Sequence, residues 1–150
     1  MKIILAVDDS SYSSEAVGAI ADRPWPPGTT VRVLSAVENL PPAAAELWYD
    51  AGGQIERTQQ ELTKRAEGLT SRVAQALRAS GLAAEPLIRH GDPRSVIVDE
   101  AKAWSADLVV LGSHGYTGFQ RWLLGSVAQS VVSHAPCSVE VVRQKMERSI

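Results

Sequence analysis

The sequence has little of the material on which several common classes of protein depend. It contains one cysteine, Cys137, so it can form no disulfide within the chain and no cysteine cluster that would hold zinc. Lys and Arg number 15 against 17 Asp and Glu, which gives a formal net charge of −2. This lack of a basic excess argues against a general electrostatic binder of nucleic acids.

Long apolar runs are missing as well. No window approaches the roughly 20 apolar residues that a membrane-spanning helix needs. The first apolar run, residues 3–7, is interrupted by Asp8 and Asp9, and it is shorter than the roughly 7–15 residues of a signal-peptide core. We therefore expect neither a membrane span nor a secretion signal, and we expect a cytoplasmic protein.

What remains is the composition of an ordinary globular domain. The 150 residues are 45% hydrophobic and 21% charged, which is unlike a disordered chain. Domains of about 100–150 residues are the most common, and no repeat, linker or low-complexity segment divides this sequence. We therefore expect one domain over residues 1–150.

Short apolar runs alternate with amphipathic segments, which predicts the order β-α-β-α-β-α-β-α-β. Predicted strands cover residues 3–7, 30–37, 86–90, 108–111 and 138–142, and predicted helices cover 13–23, 54–80, a segment from Pro93 and 126–133. A short helical turn at 43–49 is the only element expected in the long irregular stretch 39–53. Such alternation implies a parallel sheet with right-handed crossovers, in which ligands bind beyond the carboxyl ends of the strands.

The loop after the fourth predicted strand carries the strongest functional pattern. Gly112 and Gly115 remove side chains where a ligand could approach the backbone. Gly125 and Ser126 stand at a predicted helix start, where free amides and the helix dipole favour phosphate. The pattern is neither a Walker A loop nor a Rossmann fingerprint, because no Gly-Lys-Ser/Thr occurs and the first strand is not followed by glycines. The alternative interpretation is three turn glycines and one helix cap.

The spacing Gly112-x2-Gly115-x9-Gly125-Ser126 matches the G-x2-G-x9-G-[ST] signature of the universal stress protein family. The segments IILAVDDS, RHGDP, LVVLGSHG and LLGSVAQSVVSHAPCSVEVV also resemble that family, and the resemblance spans the whole chain. It implies a three-layer α/β/α fold around a five-stranded parallel sheet in the order 3-2-1-4-5. This arrangement is similar to the adenine nucleotide α-hydrolase-like and flavodoxin-like folds. The signature belongs to the branch of the family that binds ATP.

The resemblance also assigns roles to individual residues. Asp8 would contact the ribose or a phosphate-bound Mg²⁺; it could instead cap a helix, a role that Asp9 or Ser10 could equally fill. The backbone of Val37 would contact adenine. Phosphate and ribose contacts fall on Gly112, Gly115, Gly125 and Ser126, with Val127 as a weaker candidate. No direct metal ligand and no catalytic residue is predicted. His114 and Arg121 lie in the loop, but the sequence connects no carboxylate or nucleophile to His114.

Three functions are compatible with the sequence. The first is an ATP-binding stress-response protein that acts through nucleotide-dependent changes of conformation or partner, with at most weak ATP hydrolysis. The second is an ATP-using enzyme of related fold, such as an adenylyl transferase, and the third is an interaction module of the same family that binds no nucleotide. The family commonly forms dimers through its last strand, which implies a homodimer here with Val139 and Val141 packed across the axis.

Overall fold

Strands and helices alternate in the order that the sequence predicts. The computed structural model describes residues 1–40, 53–115 and 123–144. In these segments the strands are β1 (Lys2–Ala6), β2 (Thr30–Val37), β3 (Ala83–His90), β4 (Leu108–Gly112) and β5 (Ser138–Val142). The helices are α1 (Ser11–Ala21), α2 (Gln54–Ala79), α3 (Pro93–Trp104) and α4 (Ser126–His134). The helical turn predicted at 43–49 lies outside the described residues.

The five strands form one parallel sheet in the order β3-β2-β1-β4-β5, which confirms the order 3-2-1-4-5. The central strand β1 pairs with β2 on one side, where Ala6 lies opposite Leu34. On its other side it pairs with β4, where Leu5 lies opposite Val110. Strand β1 is followed by β2 on one side, and β4 is followed by β5 on the other side. The two connections therefore diverge, and a crevice opens at the carboxyl ends of β1 and β4.

Two hydrophobic cores lie on opposite faces of the sheet. Ile3 and Leu5 of β1 point to the core that α1 and α2 cover, whereas Ile4 points to the core under α3 and α4. All three side chains are fully buried. Burial on both faces explains why β1 is a continuous apolar run and not an alternating one. The three-layer α/β/α fold is thereby confirmed.

Strand β3 begins three residues earlier than predicted, at Ala83 and not at Pro86. The Gly91 N–H donates to the Val37 carbonyl at 2.9 Å, so the odd-numbered residues of β3 bond to β2. Consecutive residues of a parallel strand direct their N–H and carbonyl groups to opposite sides, so the nitrogen of Pro86 faces away from β2. That side is the open edge of the sheet, where no neighbouring strand needs an N–H donor. A proline that suggests a strand boundary in the sequence is therefore accommodated inside an edge strand.

The first turn of the chain also departs from the expectation. Helix α1 starts at Ser11 and not at Ser13, because the Ser10 hydroxyl accepts a hydrogen bond from the Ser13 N–H (3.2 Å) and caps the helix. Strand β1 ends at Ala6, although the Val7 N–H still donates to the Leu34 carbonyl at 2.9 Å. None of the helices in the described segments is long and apolar enough to cross a membrane.

Candidate functional site

A cleft of about 550 Å³ opens at the carboxyl edge of the sheet. Its volume lies in the range of small-molecule sites, which run from about 300 to 1,000 Å³. The residues predicted from the sequence that line it are Asp8, Val37, Gly112, Gly115, Ser126 and Val127. The structure therefore brings together residues from the ends of β1, β2 and β4 and from the start of α4. Arg121 lies outside the described residues, and His90 is exposed at the end of β3 and does not line the cleft.

Asp8 supports the turn into α1, although the cap of that helix is Ser10. Its Oδ1 accepts hydrogen bonds from the N–H (2.9 Å) and the hydroxyl of Ser10, and its own N–H donates to Ser13 Oγ at 2.9 Å. These bonds shape the turn into α1. The Oδ2 atom points the other way, since a Cβ added at Gly115 would lie 3.2 Å from it. One oxygen of Asp8 is thus used by the fold and the other faces the glycine loop.

Gly112 is required by packing as much as by any ligand. A Cβ at this position would lie 2.7 Å from the Cβ of Tyr12 and 2.8 Å from its carbonyl carbon and oxygen. Such distances are shorter than van der Waals contact, and two of the three atoms belong to backbone that cannot move aside cheaply. The glycine therefore lets α1 approach the end of β4, which closes the floor of the cleft.

Gly125 holds the start of α4 against the end of β4. Its N–H donates to the Ser113 carbonyl at 2.8 Å, and a Cβ would lie 3.1 Å from that oxygen and 3.1 Å from His114 Cα. Among the described residues no side chain accepts a hydrogen bond at this helix start, and the first helical bond runs from the Gln129 N–H to the Gly125 carbonyl (2.9 Å). The amides of the first turn, including those of Ser126 and Val127, therefore have no partner within the helix. They meet the cleft that both residues line.

His114 is buried, with 8% of its surface exposed. Its Nδ1 lies 3.1 Å from Ser113 Oγ, and its ring centroid lies 5.0 Å from that of Tyr12. Across residues 1–40, 53–115 and 123–144, Nε2 has no hydrogen-bond partner and no carboxylate bonds to the ring. The geometry therefore gives His114 no acid–base partner in the described part of the chain.

The end of β2 offers a feature that the sequence analysis missed. Strand β2 extends beyond the last hydrogen bond from β1, which joins the Val7 N–H to Leu34. Val37 bonds towards β3, so the N–H and carbonyl of Ala36 face the side on which β1 has ended. The N–H donor and the carbonyl acceptor of Ala36 therefore lie side by side where this residue lines the cleft. A comparison of the predicted strand lengths, five residues against eight, is the signal that could have revealed it.

Carboxylates predominate among the charged groups of the cleft. The carboxylates that line it are Asp8, Asp9 and Glu38, and the arginine that lines it is Arg65. The hydrogen bonds that the Arg94 side chain donates to Asp92 raise the pKa of Arg94, and the charge of Glu38 adds a smaller rise, so Glu38 lies near the start of α3. Within the described segments, no group of three or more His, Cys, Asp or Glu side chains could hold a metal ion by itself. Mg²⁺ that is bound to substrate phosphates usually takes one or two carboxylate ligands from the protein, and Asp8 Oδ2 could supply one of them.

These features define a class. The chain is a parallel α/β protein with an uncapped helix start and a glycine loop at the switch point of its sheet. The model of the universal stress protein family matches residues 1–143, and the chain belongs to that family.

Individual relatives agree with this assignment. A universal stress protein from Thermus aquaticus is 30% identical over 142 residues, which cover 94% of this chain and 97% of the relative. The universal stress protein Sll1388 from Synechocystis is 40% identical over 88 residues, which cover 59% of this chain and 56% of that protein.

Two solved structures share the fold. The universal stress protein UspA from Lactobacillus plantarum superposes with a TM-score of 0.79 at 25% identity, over 95% of this chain and 97% of that one. A family protein from Arabidopsis thaliana, solved with AMP bound, superposes with a TM-score of 0.69 at 18% identity, over 100% of this chain and 95% of that one.

Proposed function

We propose that this universal stress protein binds ATP in the cleft and acts in the stress response of the cytoplasm through nucleotide-dependent changes of conformation or partner. The observation that carries the proposal is the start of α4, whose first-turn amides have no cap and meet the cleft across from Asp8 Oδ2 and the free backbone edge of Ala36. A helix start of this kind favours phosphate through its N–H groups and its dipole.

The three features suggest one orientation of the nucleotide. The phosphates lie at the amides of Ser126 and Val127 and beside Gly115, and the ribose lies between Gly112 and Asp8. Adenine then reaches the end of β2, where its N6 amino group can donate to a backbone carbonyl and its N1 can accept from a backbone N–H. Ala36 offers both groups on one side, next to Val37. The AMP-bound relative supports an adenine nucleotide as a ligand for which this fold has room.

The charge of the cleft bears on the form in which ATP binds. A wall with Asp8, Asp9 and Glu38 would repel the free tetraanion. Mg²⁺ neutralises part of that charge and prefers phosphate and carboxylate oxygens, which Asp8 Oδ2 can supply. Magnesium-bound ATP is therefore the ligand we propose, and affinity should fall when the metal is chelated.

Hydrolysis is at most weak under this proposal. Catalysis of phosphoryl transfer needs a group that orients water or a substrate hydroxyl. His114 is an acid–base group within the loop, and no described carboxylate orients its ring. A turnover near the median of enzymes, about 10 s⁻¹, would contradict the proposal and favour the ATP-using enzyme.

The test begins with the purified full chain. Denaturation followed by mass spectrometry of the released small molecules should yield ATP or AMP. Calorimetric titration of nucleotide-free protein with ATP should show binding in the presence of Mg²⁺ and weaker binding with EDTA. If no nucleotide is released and millimolar ATP with Mg²⁺ gives no heat of binding, the proposed function is wrong.

We also propose a homodimer that forms through β5. Val142 accepts from the Ser113 N–H at 2.9 Å, so Val139 and Val141 direct their N–H and carbonyl groups to the open edge of β5. Their side chains pack in part against the core under α3 and α4, so the backbone edge carries the contact.

Val141→Pro copies the arrangement of Pro86 onto this edge, and we expect it to give monomers in analytical ultracentrifugation with unchanged circular dichroism. A wild-type monomer, or a dimer that persists in the variant, would contradict this contact.

A further inference from the structure

The cleft extends over both faces of the sheet, and the phosphate position proposed above uses the half under α3 and α4. Ala6, Leu34 and Leu111 line the half that belongs to the core under α3 and α4, and Val127 at the start of α4 belongs to the same core. Val7 and Leu69 line the other half and belong to the core under α1 and α2. The half under α2 therefore lies beyond the proposed phosphate position, and it adjoins the proposed base position at Val37.

The wall of this second half is apolar. Leu62, Ala66 and Leu69 follow each other at helical spacing along one side of α2, and they line the cleft opposite Val37. Leu62 and Leu69 are only half-buried, and Leu40 at the rim is 36% exposed. Large apolar side chains that remain incompletely covered inside a concave surface gain free energy when a ligand buries them.

Two polar groups break the apolar wall. Ser35 is 6% exposed, lies on the same face of β2 as Val33 and Val37, and lines the cleft; its hydroxyl bonds to no other group of the described chain. Arg65 stands at the rim, one helical turn from Leu62 and Leu69, and within the described ranges it forms no ion pair. Glu38, which follows the end of β2, lies near Arg94, and no ion pair joins it to Arg65.

We propose that the half of the cleft under α2 binds a small monocarboxylic acid with an apolar body. The apolar part lies between Val37 and the leucines of α2, and the carboxylate pairs with the guanidinium of Arg65, whose planar fork matches its two oxygens. A polyphosphate is disfavoured here because α2 offers only mid-helix backbone, in which the amides are already bonded. An uncharged or cationic amphiphile would leave the guanidinium without a partner.

Octanoate, octanol and octylammonium are the probes that test this site. Titrated into the nucleotide-free full chain, octanoate should bind at least about tenfold more tightly than octanol, as one charge-assisted hydrogen-bonded pair predicts, and octylammonium should bind least. Amide shifts in NMR should appear at Val37, Leu62 and Leu69 and not at the start of α4. Tighter binding of octylammonium, no binding of octanoate, or shifts confined to the start of α4 would each overturn the proposal.

Matched variants separate the charge from the fold and from the nucleotide. Arg65→Met should lose about tenfold in octanoate affinity and keep its affinity for octanol, whereas Lys64→Met, an exposed neighbour that does not line the cleft, should change neither. Gly115→Val should impair nucleotide binding and leave octanoate binding intact, so the two proposals can fail independently. Undiminished octanoate affinity in Arg65→Met would overturn the assignment.

Discussion

Helices α3 and α4 begin at the same edge of the sheet, yet their first turns are built in opposite ways. At α3, Asp92 accepts from the Arg94 N–H at 2.9 Å, and the Arg94 side chain pairs with the same carboxylate at 2.5 Å. Hydrogen bonds from the side chain and the backbone of Arg94 lower the pKa of Asp92 to about 2. At α4, Gly125 supplies no side chain at all. The start of α3 is capped by its own residues, whereas the start of α4 has no side-chain cap among the described residues.

This difference is the basis of the anion site that we propose at α4. Both helices have a positive amino end, so the dipole alone does not distinguish them. What distinguishes them is whether an acid of the chain already occupies the amides. Changes in the glycine loop, in either helix start and in pH should alter this difference, and their expected effects run from the largest to the smallest below.

Gly115→Val should have the largest effect. A Cβ at Gly115 would already lie 3.2 Å from Asp8 Oδ2, and the valine methyl groups would extend into the space that the phosphates need. The backbone of Gly115 is not left-handed, so valine adds no such strain. We expect calorimetry to show at least about a hundredfold loss of ATP affinity. Gly18→Ala, where no atom lies within 4 Å of the added Cβ, is the control and should bind normally. Undiminished affinity in Gly115→Val would show that this loop is not the phosphate site.

Ser126→Asp places an acid at the first residue of α4, one position after the N-cap position that Asp92 holds at α3. The carboxylate should repel phosphate and compete for the amides, and we expect ATP affinity to fall by about tenfold to a hundredfold. The same charge favours the helix start by about 0.3–1 kcal/mol, so the melting temperature should hold or rise. Gln129→Glu adds an equal charge one turn later, at a residue that does not line the cleft, and should change affinity little. Equal losses in both variants would indicate general repulsion and no specific contact.

Asp92→Ala removes the side-chain cap at the start of α3. The Arg94 N–H and guanidinium lose their acceptor, so thermal denaturation should show a melting temperature lower by a few degrees. Because this helix start is not the phosphate site, ATP affinity should stay within about twofold of the wild type, measured by calorimetry below the transition. A large loss of affinity would mean that α3 takes part in binding.

Acid titration should give the smallest effect. Since the pKa of Asp92 is lower in the folded protein, its contribution to stability is complete above the unfolded value of 3.8 and is lost as the pH falls towards about 2. Urea denaturation at several pH values should show a shallower decline between pH 4 and 2 for Asp92→Asn than for the wild type. Parallel declines would show that this pair contributes no pH dependence.

Much of the fold follows from local patterns. The turn Gly91-Asp92-Pro93 specifies the start of α3 through residues adjacent in sequence, and the apolar runs specify buried strands. Pro86 shows the limit, because its cost depends on whether its missing N–H faces a neighbouring strand or the open edge. The sequence does not contain that direction, and only the register of β3 on β2 supplies it.

The candidate site shows the same division. The spacing of Gly112, Gly115 and Gly125 in the sequence indicates a phosphate loop and a family. The structure shows that Gly112 also serves the contact with Tyr12, a residue 100 positions away. It also shows that Ala36 has the free edge beside Val37, because that edge depends on where β1 stops along β2.

The sequence by itself determined the alternation of strands and helices, the capped start of α3 and the glycine pattern before α4, because each depends on residues close together along the chain. Only the tertiary structure decided which of the helix starts has no side-chain cap, which oxygen of Asp8 faces the glycine loop and which side of α2 lines a second apolar half. These depend on atoms that meet across the sheet, and no spacing along one chain records such contacts.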